Sequence, residues 1–333
     1  MKVYRHGNRW RIKAHDDAGI RRWMSFDTED EAIAYAEHVS QGIRRIDDVW
    51  SRLEGRSIIT PYHEVELPAE PYGLAFLSDL HFGSPHTDYR QARLDAEVIR
   101  DTPGMYAVFH GDGIDNWIIP KMAGLQRGQA VDFDDEWALL RRWLSILGDK
   151  LIIVVAGNHD NWTYTLGGID FLRNLVDPAT FYDPQQILFT VSSGEHQLRV
   201  CVRHKWRGQS ILNPTHGMER AARDIDADVY VGGHTHIATL ARQFTVRERD
   251  RLALLTGTYK RYDTYARQLG LPPSQHSGAG ALVIDPRKGH TFIRDIREAA
   301  DYLTWKRRTE RGDDDHAQAG HRQGRIRTGT RRQ

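Results

Sequence analysis

Lys150-Leu151-Ile152-Ile153-Val154-Val155-Ala156-Gly157-Asn158-His159-Asp160 is an apolar run that stops on a glycine followed by three polar, chemically capable side chains. The run is rich in β-branched residues and lacks period-two alternation, which suits a strand covered on both faces. Gly157 lets the backbone turn where a side chain would clash. Asn158, His159 and Asp160 then sit at the strand's carboxyl end, where open α/β sheets bind ligands. A turn capping the next helix accounts for the same residues, since Asn and Asp also serve there. Recurrence elsewhere in the chain decides between the two.

The construction does recur. Residues 72–81 read as a strand running into Asp79 and His81, and residues 105–109 as a strand ending in His110-Gly111-Asp112-Gly113-Ile114-Asp115-Asn116. Helical periodicity over 88–101 and 132–147 separates these strands, so the first part of the core reads as α/β. The later part is strand-rich: 187–191, 198–203 ending at His204, and 228–231 leading into Gly232-Gly233-His234-Thr235-His236. A helix is expected at 215–223 and further strands at 237–245, 251–257, 281–285 and 290–295. Five strand ends therefore carry Asp79/His81, Asp112/Asp115, Asn158/His159, His204 and His234/His236, a mixture of carboxylate, amide oxygen and imidazole that suits divalent cations.

At 333 residues the chain suits a core domain with appendages. No run of eighteen apolar residues occurs, and the start Met1-Lys2-Val3-Tyr4-Arg5-His6 lacks a signal-peptide core, so a soluble, cytoplasmic protein without a membrane partner is expected. The single cysteine, Cys201, cannot pair within the chain, and any metal must be held by His, Asp and Asn. The net charge of +1 is unevenly spread: residues 1–45 carry nine Lys/Arg against seven Asp/Glu, residues 306–333 nine against four, and the centre is acidic. Basic ends around an acidic centre fit either a polyanion-binding periphery or, at the C-terminus, a solvated tail.

Four regions are expected: a small module at 1–45, a connector at 46–70 broken by Pro61 and Pro68, a core domain at 71–300, and a basic, disordered tail at 301–333. In the first, alternating strands flank a hairpin at Gly7-Asn8, a third strand covers 21–26, and Thr28 and Glu31 have capping-box spacing before a helix. Arg5, Arg9, Arg11, Lys13, Arg21 and Arg22 lie on the strands. Three strands and a helix with these cations resemble the arm-type DNA-binding domains of integrases and the AP2-like plant transcription-factor domain. The resemblance implies a sheet that enters the major groove; docking of a protein partner is the other use open to such a module.

The ordered blocks Asp-x-His, Gly-Asp-x-x-Asp, Gly-Asn-His-Asp, a lone His and Gly-His-x-His resemble the calcineurin-like metallophosphoesterase superfamily over residues 72–295. The resemblance implies a sandwich of two mixed β-sheets flanked by helices. It implies that Asp79, His81 and His236 hold one divalent ion and Asn158, His204 and His234 a second, with Asp112 bridging. Manganese is the first expectation for the pair, iron and zinc being compatible with the same ligands. A hydroxide between the ions would attack a phosphoester, His159 would serve the leaving group, and Asp115 would orient His159. Asp160 is expected to support the loop. The chain departs from the protein Ser/Thr phosphatases where Asn116 stands in place of an arginine that grips phosphate. That departure and the Gly-Asn-His-Asp form favour a phosphodiesterase or nuclease over a phosphomonoesterase. Asn116, Lys205 and Arg207 are candidate substrate contacts, and Trp206 either stacks on a base or packs inward. Nucleic acid is the expected partner; oligomeric state is left open.

Overall fold

The computed structural model describes residues 2–15, 21–54, 62–210, 212–262, 270 and 278–323. The chain divides into two compact units, Met1–Thr60 and Pro61–Gln333.

In the first unit, β1 (Val3–His6), β2 (Arg9–His15) and β3 (Arg21–Phe26) form an antiparallel sheet in that order. Gly7, at φ 64°, makes the hairpin turn that a side chain would strain. Helix α1 (Glu29–Glu54) begins with the expected capping box: the Glu31 N–H donates to Thr28 Oγ1 at 3.3 Å and the Thr28 N–H to Glu31 Oε2 at 3.4 Å. One face of the sheet meets this helix through Val3, Trp10, Ile12, Met24 and Phe26 against Ala32, Tyr35 and Ala36. The helix runs on to Glu54, so the short helical segment expected at the start of the connector is a continuation of α1.

The second unit holds two six-stranded sheets. One has the order β15 (Gly289–Ile293), β14 (Gly280–Asp285), β5 (Tyr72–Leu77), β6 (Met105–Phe109), β7 (Leu151–Val155), β8 (Phe181–Asp183). Strands β5 to β8 pair in parallel, and β14 is antiparallel to both neighbours. The other has the order β12 (Leu240–Val246), β13 (Arg249–Leu255), β11 (Val229–Gly232), β10 (His196–Val202), β9 (Ile187–Ser193), β4 (Tyr62–Leu67), again mixed. Leu74, Phe76, Val108, Ile153 and Val155 of the first sheet pack on Phe189, Val191, Val200, Val202 and Val231 of the second. The reverse face of the first sheet, through Ala75, Leu77, Ala107, Phe109 and Val154, carries α2 (Tyr89–Asp101), α3 (Phe133–Leu147) and α7 (Ile296–Gln323). Both faces of β5, β6 and β7 are thus buried, which is why their sequences do not alternate. Three short helices complete the unit: α4 (Asn158–Gly167), α5 (Phe171–Leu175) and α6 (His216–Ala221). The sandwich of two mixed sheets with flanking helices, and the separate three-stranded module, are the architecture expected.

Two segments differ from expectation. Strand β4 occupies part of the supposed connector, an edge strand whose half-exposed alternation is set between Pro61 and Pro68. Helix α7 replaces the start of the supposed tail, anchored by Ala299, Ala300 and Leu303 in the core and by the Lys306 ammonium on Asp285 at 2.7 Å.

The Gly111 and Gly157 backbones touch where β6 and β7 end: a Cβ on Gly111, at φ 98°, would fall 2.2 Å from the Gly157 nitrogen. Gly111→Ala should lower stability by about 2–4 kcal/mol, combining left-handed strain with overpacking. Urea denaturation followed by near-UV circular dichroism measures it; an unchanged midpoint would contradict this packing.

Candidate metal centre

Five strands deliver the expected side chains to one place. Asp79 and His81 follow β5, Asp112 follows β6, Asn158 follows β7 and opens α4, His204 follows β10, and His234 and His236 follow β11. Asp79, His81, Asp112, His234 and His236 all have positive φ, between 49° and 72°, an uncommon conformation for such residues that clusters where the surroundings enforce it. Backbone bonds between loops do the enforcing: the Asp79 N–H donates to Gly111 O at 2.9 Å, and the His81 N–H to Asp112 O at 3.0 Å.

Among the described residues, ligand-type atoms gather in three groups, Asp79/His81/His236, Asp112/His204/His234 and His81/Asp115/His159. In the first, Asp79 Oδ1 lies 3.0 Å from His236 Nε2, and His81 Nε2 lies 2.9 Å from the same nitrogen. In the second, Asp112, His204 and His234 present ligand atoms within 4.8 Å of one another. Asp112 Oδ2 lies 3.0 Å from His204 Nε2 and 3.8 Å from His81 Nε2. His204 Nε2 has the Asp112 carboxylate as its neighbour, and Asn158 Oδ1 is buried without a hydrogen-bond partner. A buried amide oxygen left unpaired, together with clustered carboxylates and imidazoles, suits a cation-binding donor set. The residues fit one or more divalent ions.

Outer contacts set the imidazole tautomers. His204 Nδ1 lies 2.8 Å from the His110 carbonyl, which can only accept, so Nδ1 keeps its proton and Nε2 is the nitrogen that a cation would take in exchange for a proton. His81 Nδ1 is likewise 2.8 Å from Asp115 Oδ1. Charge is balanced inside the cluster. Burial alone would raise Asp79, but His204 and hydrogen bonds from His236 and His81 hold it well below the usual range. Asp112 is held low against burial by His204 and His159. Burial opposes a charge on His204, yet Asp112 and Asp79 push it up to about 10. His159, in contrast, is brought down to about 4 by burial, with Asp112 opposing.

His159 is buried between two indoles, its ring centroid 4.0 Å from Trp162 and 4.8 Å from Trp117. Its Nδ1 donates to the Asp115 carbonyl at 2.5 Å, and its Nε2 lies 3.9 Å from Asp112 Oδ2. Asp115 meets His159 through its backbone oxygen, while its carboxylate, within 4.8 Å of a His159 ring nitrogen, bonds to His81, Lys260 and Gln129. Asn116 is also reassigned. It is 1% exposed and donates to His159 O at 2.6 Å and Thr163 Oγ1 at 3.0 Å, so it braces α4 and is closed to substrate. Asp160 supports the loop as expected, accepting from the N–H groups of Asp112 and Gly157 at 2.8 Å and Gly113 at 3.0 Å. Lys205 and Arg207 are exposed; burial, with the His204 charge, brings the His234 imidazole down to about 4. Trp206 packs inward, its Nε1–H donating to Val231 O at 2.8 Å.

Sequence reasoning missed Lys260, Gln129 and the Trp117/Trp162 pair. No spacing announces them; Lys260 lies in Gly257-Thr258-Tyr259-Lys260 after β13, far in sequence from Asp115.

On the N-terminal sheet, register separates the candidate cations. Tyr4 pairs with Arg11, and Lys13 with Trp23, across the face opposite Ile12 and Met24. The Lys13 ammonium lies 5.7 Å over the Trp23 ring, whose centroid is 5.8 Å from that of Tyr4. Arg9, on the same alternation, pairs with Asp27 at 3.3 Å. Arg5 pairs with Trp10 and stacks over its ring, so it does not share the face of Arg11. Arg21 and Arg22 occupy β3 opposite His15 and Ala14.

No protein-family model matches the chain, and no curated protein matches it. Among solved structures, it is similar to Vps29 of Chaetomium thermophilum, at 11% identity and TM-score 0.34 over 67% of this chain and 95% of that one. It is similar to GAP50, the anchor in the inner membrane complex of Plasmodium, at 10% identity and TM-score 0.41 over 67% and 84%. It is similar to the calcineurin-like phosphoesterase YfkN of Bacillus subtilis, at 12% identity and TM-score 0.34 over 72% and 97%. Among the described residues, no helix is long and apolar enough to cross a membrane.

Asp160→Ala would leave three buried N–H groups unpaired and should cost about 2–4 kcal/mol. Thermal unfolding of the metal-free protein measures this; a melting temperature within error of wild type would show that the loops hold without it.

Proposed function

We propose that the chain is a dinuclear-metal phosphoesterase that cleaves phosphodiesters, with nucleic acid as its substrate. The observation that carries the hydrolytic reading is the convergence of Asp79, His81 and His236 with Asp112, His204 and His234, in which Asp112 Oδ2 lies 3.0 Å from His204 Nε2 and 3.8 Å from His81 Nε2; Asn158, with its Oδ1 buried and unpaired, would complete the set. Two divalent cations, manganese foremost, would supply the Lewis-acid charge that phosphoryl hydrolysis needs.

The chain's own part is to hold substrate and move a proton. His159, anchored through Nδ1–H on the Asp115 carbonyl, leaves Nε2 to exchange a proton with a leaving oxygen. Trp117 and Trp162 fix the ring and exclude water from two sides. Lys205, exposed and next to His204 in the chain, is the first candidate to meet a phosphate, while Asn116 is turned to His159 O. Arg207 is the second candidate on that loop.

The N-terminal module supports nucleic acid as the substrate class. Its open face combines Arg9, Arg11 and Lys13 with the exposed rings of Tyr4 and Trp23, cations for phosphates and apolar surface for sugars or bases. Arg21 and Arg22 extend the basic composition of β3, and Arg5 serves from the other face.

With manganese loaded, the purified protein is expected to cut single- or double-stranded DNA or RNA and bis-aryl phosphodiesters faster than aryl monoesters. His159→Ala should lower kcat by about 10²–10⁴-fold while metal content, measured by inductively coupled plasma mass spectrometry, stays at the wild-type value. Turnover of monoesters alone would replace the diesterase reading, and no turnover of any ester despite bound metal would leave a nucleic-acid-binding scaffold.

Removal of residues 1–54 should weaken DNA binding and flatten its salt dependence, by about 0.9 in log–log slope for each phosphate that the module neutralises. Unchanged affinity and slope would assign DNA binding to the core.

A further inference from the structure

Lys260 is a buried ammonium that the hydrolytic reading does not use. It is 3% exposed, and its Nζ lies 2.7 Å from Asp115 Oδ1, the oxygen that also receives His81 Nδ1 at 2.8 Å. The ammonium lies 5.2 Å over the ring of Trp117, the indole that flanks His159. Asp115 Oδ2 accepts from Gln129 Nε2 at 2.9 Å, so three donors from separate segments lock one carboxylate.

The segment carrying Lys260 is itself tied to the Asp79 turn. Thr258 Oγ1 and the Tyr259 N–H both donate to the Asp79 carbonyl at 3.0 Å, the Lys260 N–H donates to Thr258 Oγ1 at 3.0 Å, and the Tyr259 hydroxyl donates to Asp95 at 2.7 Å. The position of the ammonium is therefore referred to the same turn that presents His81. A buried Lys–Asp pair is costly to assemble, and replacing both by apolar groups often stabilises a protein. Its presence one bond from a ligand imidazole suits orientation better than stability, because an imidazole ligand needs an acceptor fixed behind it. Burial closes Lys260 to substrate.

We propose that Lys260 is a positioning residue of the metal centre: it fixes the Asp115 carboxylate so that His81 keeps Nδ1–H on Asp115 and turns Nε2 toward the ion shared with Asp79 and His236. This rests on the metal reading of the centre, and it adds a residue that neither spacing nor motif assigns.

Lys260→Met and Lys260→Arg test it in the full-length protein. Manganese and zinc affinities are measured by competition with a chelating dye, and the His81 Nδ1–H proton is followed by NMR, assigned by its disappearance in His81→Gln. Lys260→Met should bind one ion about 10- to 100-fold more weakly, the range typical when an outer partner of a ligand is removed. Its His81 Nδ1–H should move upfield and exchange faster with water, and Lys260→Arg should recover most of the affinity. Wild-type metal affinity with an unmoved resonance in Lys260→Met overturns the proposal, as does weakening that Lys260→Arg does not repair at all. If Lys260→Met does not fold, Lys260→Gln takes its place, and a His81 resonance as protected as in wild type counts against the proposal. A wild-type protein that binds neither ion refutes the metal reading instead, and the Nδ1–H comparison in metal-free protein then judges Lys260 alone.

Discussion

The carboxylate of Asp160 accepts from the backbone N–H groups of Gly157, Asp112 and Gly113, and these bonds hold together the ends of β6 and β7. The two loops meet backbone to backbone, since neither Gly111 nor Gly157 could carry a Cβ without collision. Burial and the charge of Asp112 push the Asp160 carboxyl up to about 6, a cost accepted where three donors converge. Asp112, Asn158 and His159 take their places from this knot, and Asp112 Oδ1 returns a bond to the His159 N–H at 2.9 Å. The other ligands are then referred to Asp112: His81 through its backbone, His204 through its ring.

Around that knot the protein concentrates its unusual geometry. Five candidate ligands sit at positive φ, buried or half-buried, and two of the candidate imidazoles are oriented by acceptors on their Nδ1 side: the His110 carbonyl behind His204, Asp115 behind His81. Strain of this kind persists only where surrounding bonds over-determine it. The N-terminal unit is built on a different plan, a small core under one sheet face, with cations and aromatic rings on the other.

The candidate ligands were legible because each is a short polar block at the end of an apolar run, and five such blocks in order are hard to reach by chance. What failed to read was orientation. Asp115 and His159 are the expected neighbours, yet the Asp115 side chain bonds to His81 and Lys260, and it is the Asp115 carbonyl that bonds to His159. Asn116 looked like a substrate contact because it replaces an arginine; with a shorter side chain it turns inward to α4. Trp206 looked like a stacking platform, and the partner for its N–H, Val231 O, lies inside the sheet. Strand β4 was hidden because an edge strand half open to solvent, bounded by prolines, resembles a linker, and α7 because its polar continuation outweighs the stripe that anchors it.

The sequence by itself determined the order of strands that end in ligand-type residues, the capping box of α1, and the identity of the seven candidate ligands, Asp112 among them. Those are local properties, carried by period, punctuation and residue chemistry. Only the tertiary structure decided which carboxylate stands behind which imidazole, that Lys260 lies 2.7 Å from a residue 145 positions away, and which face of the N-terminal sheet is open. A side chain's partner depends on distances between segments remote in sequence, and no period or spacing along the chain records them.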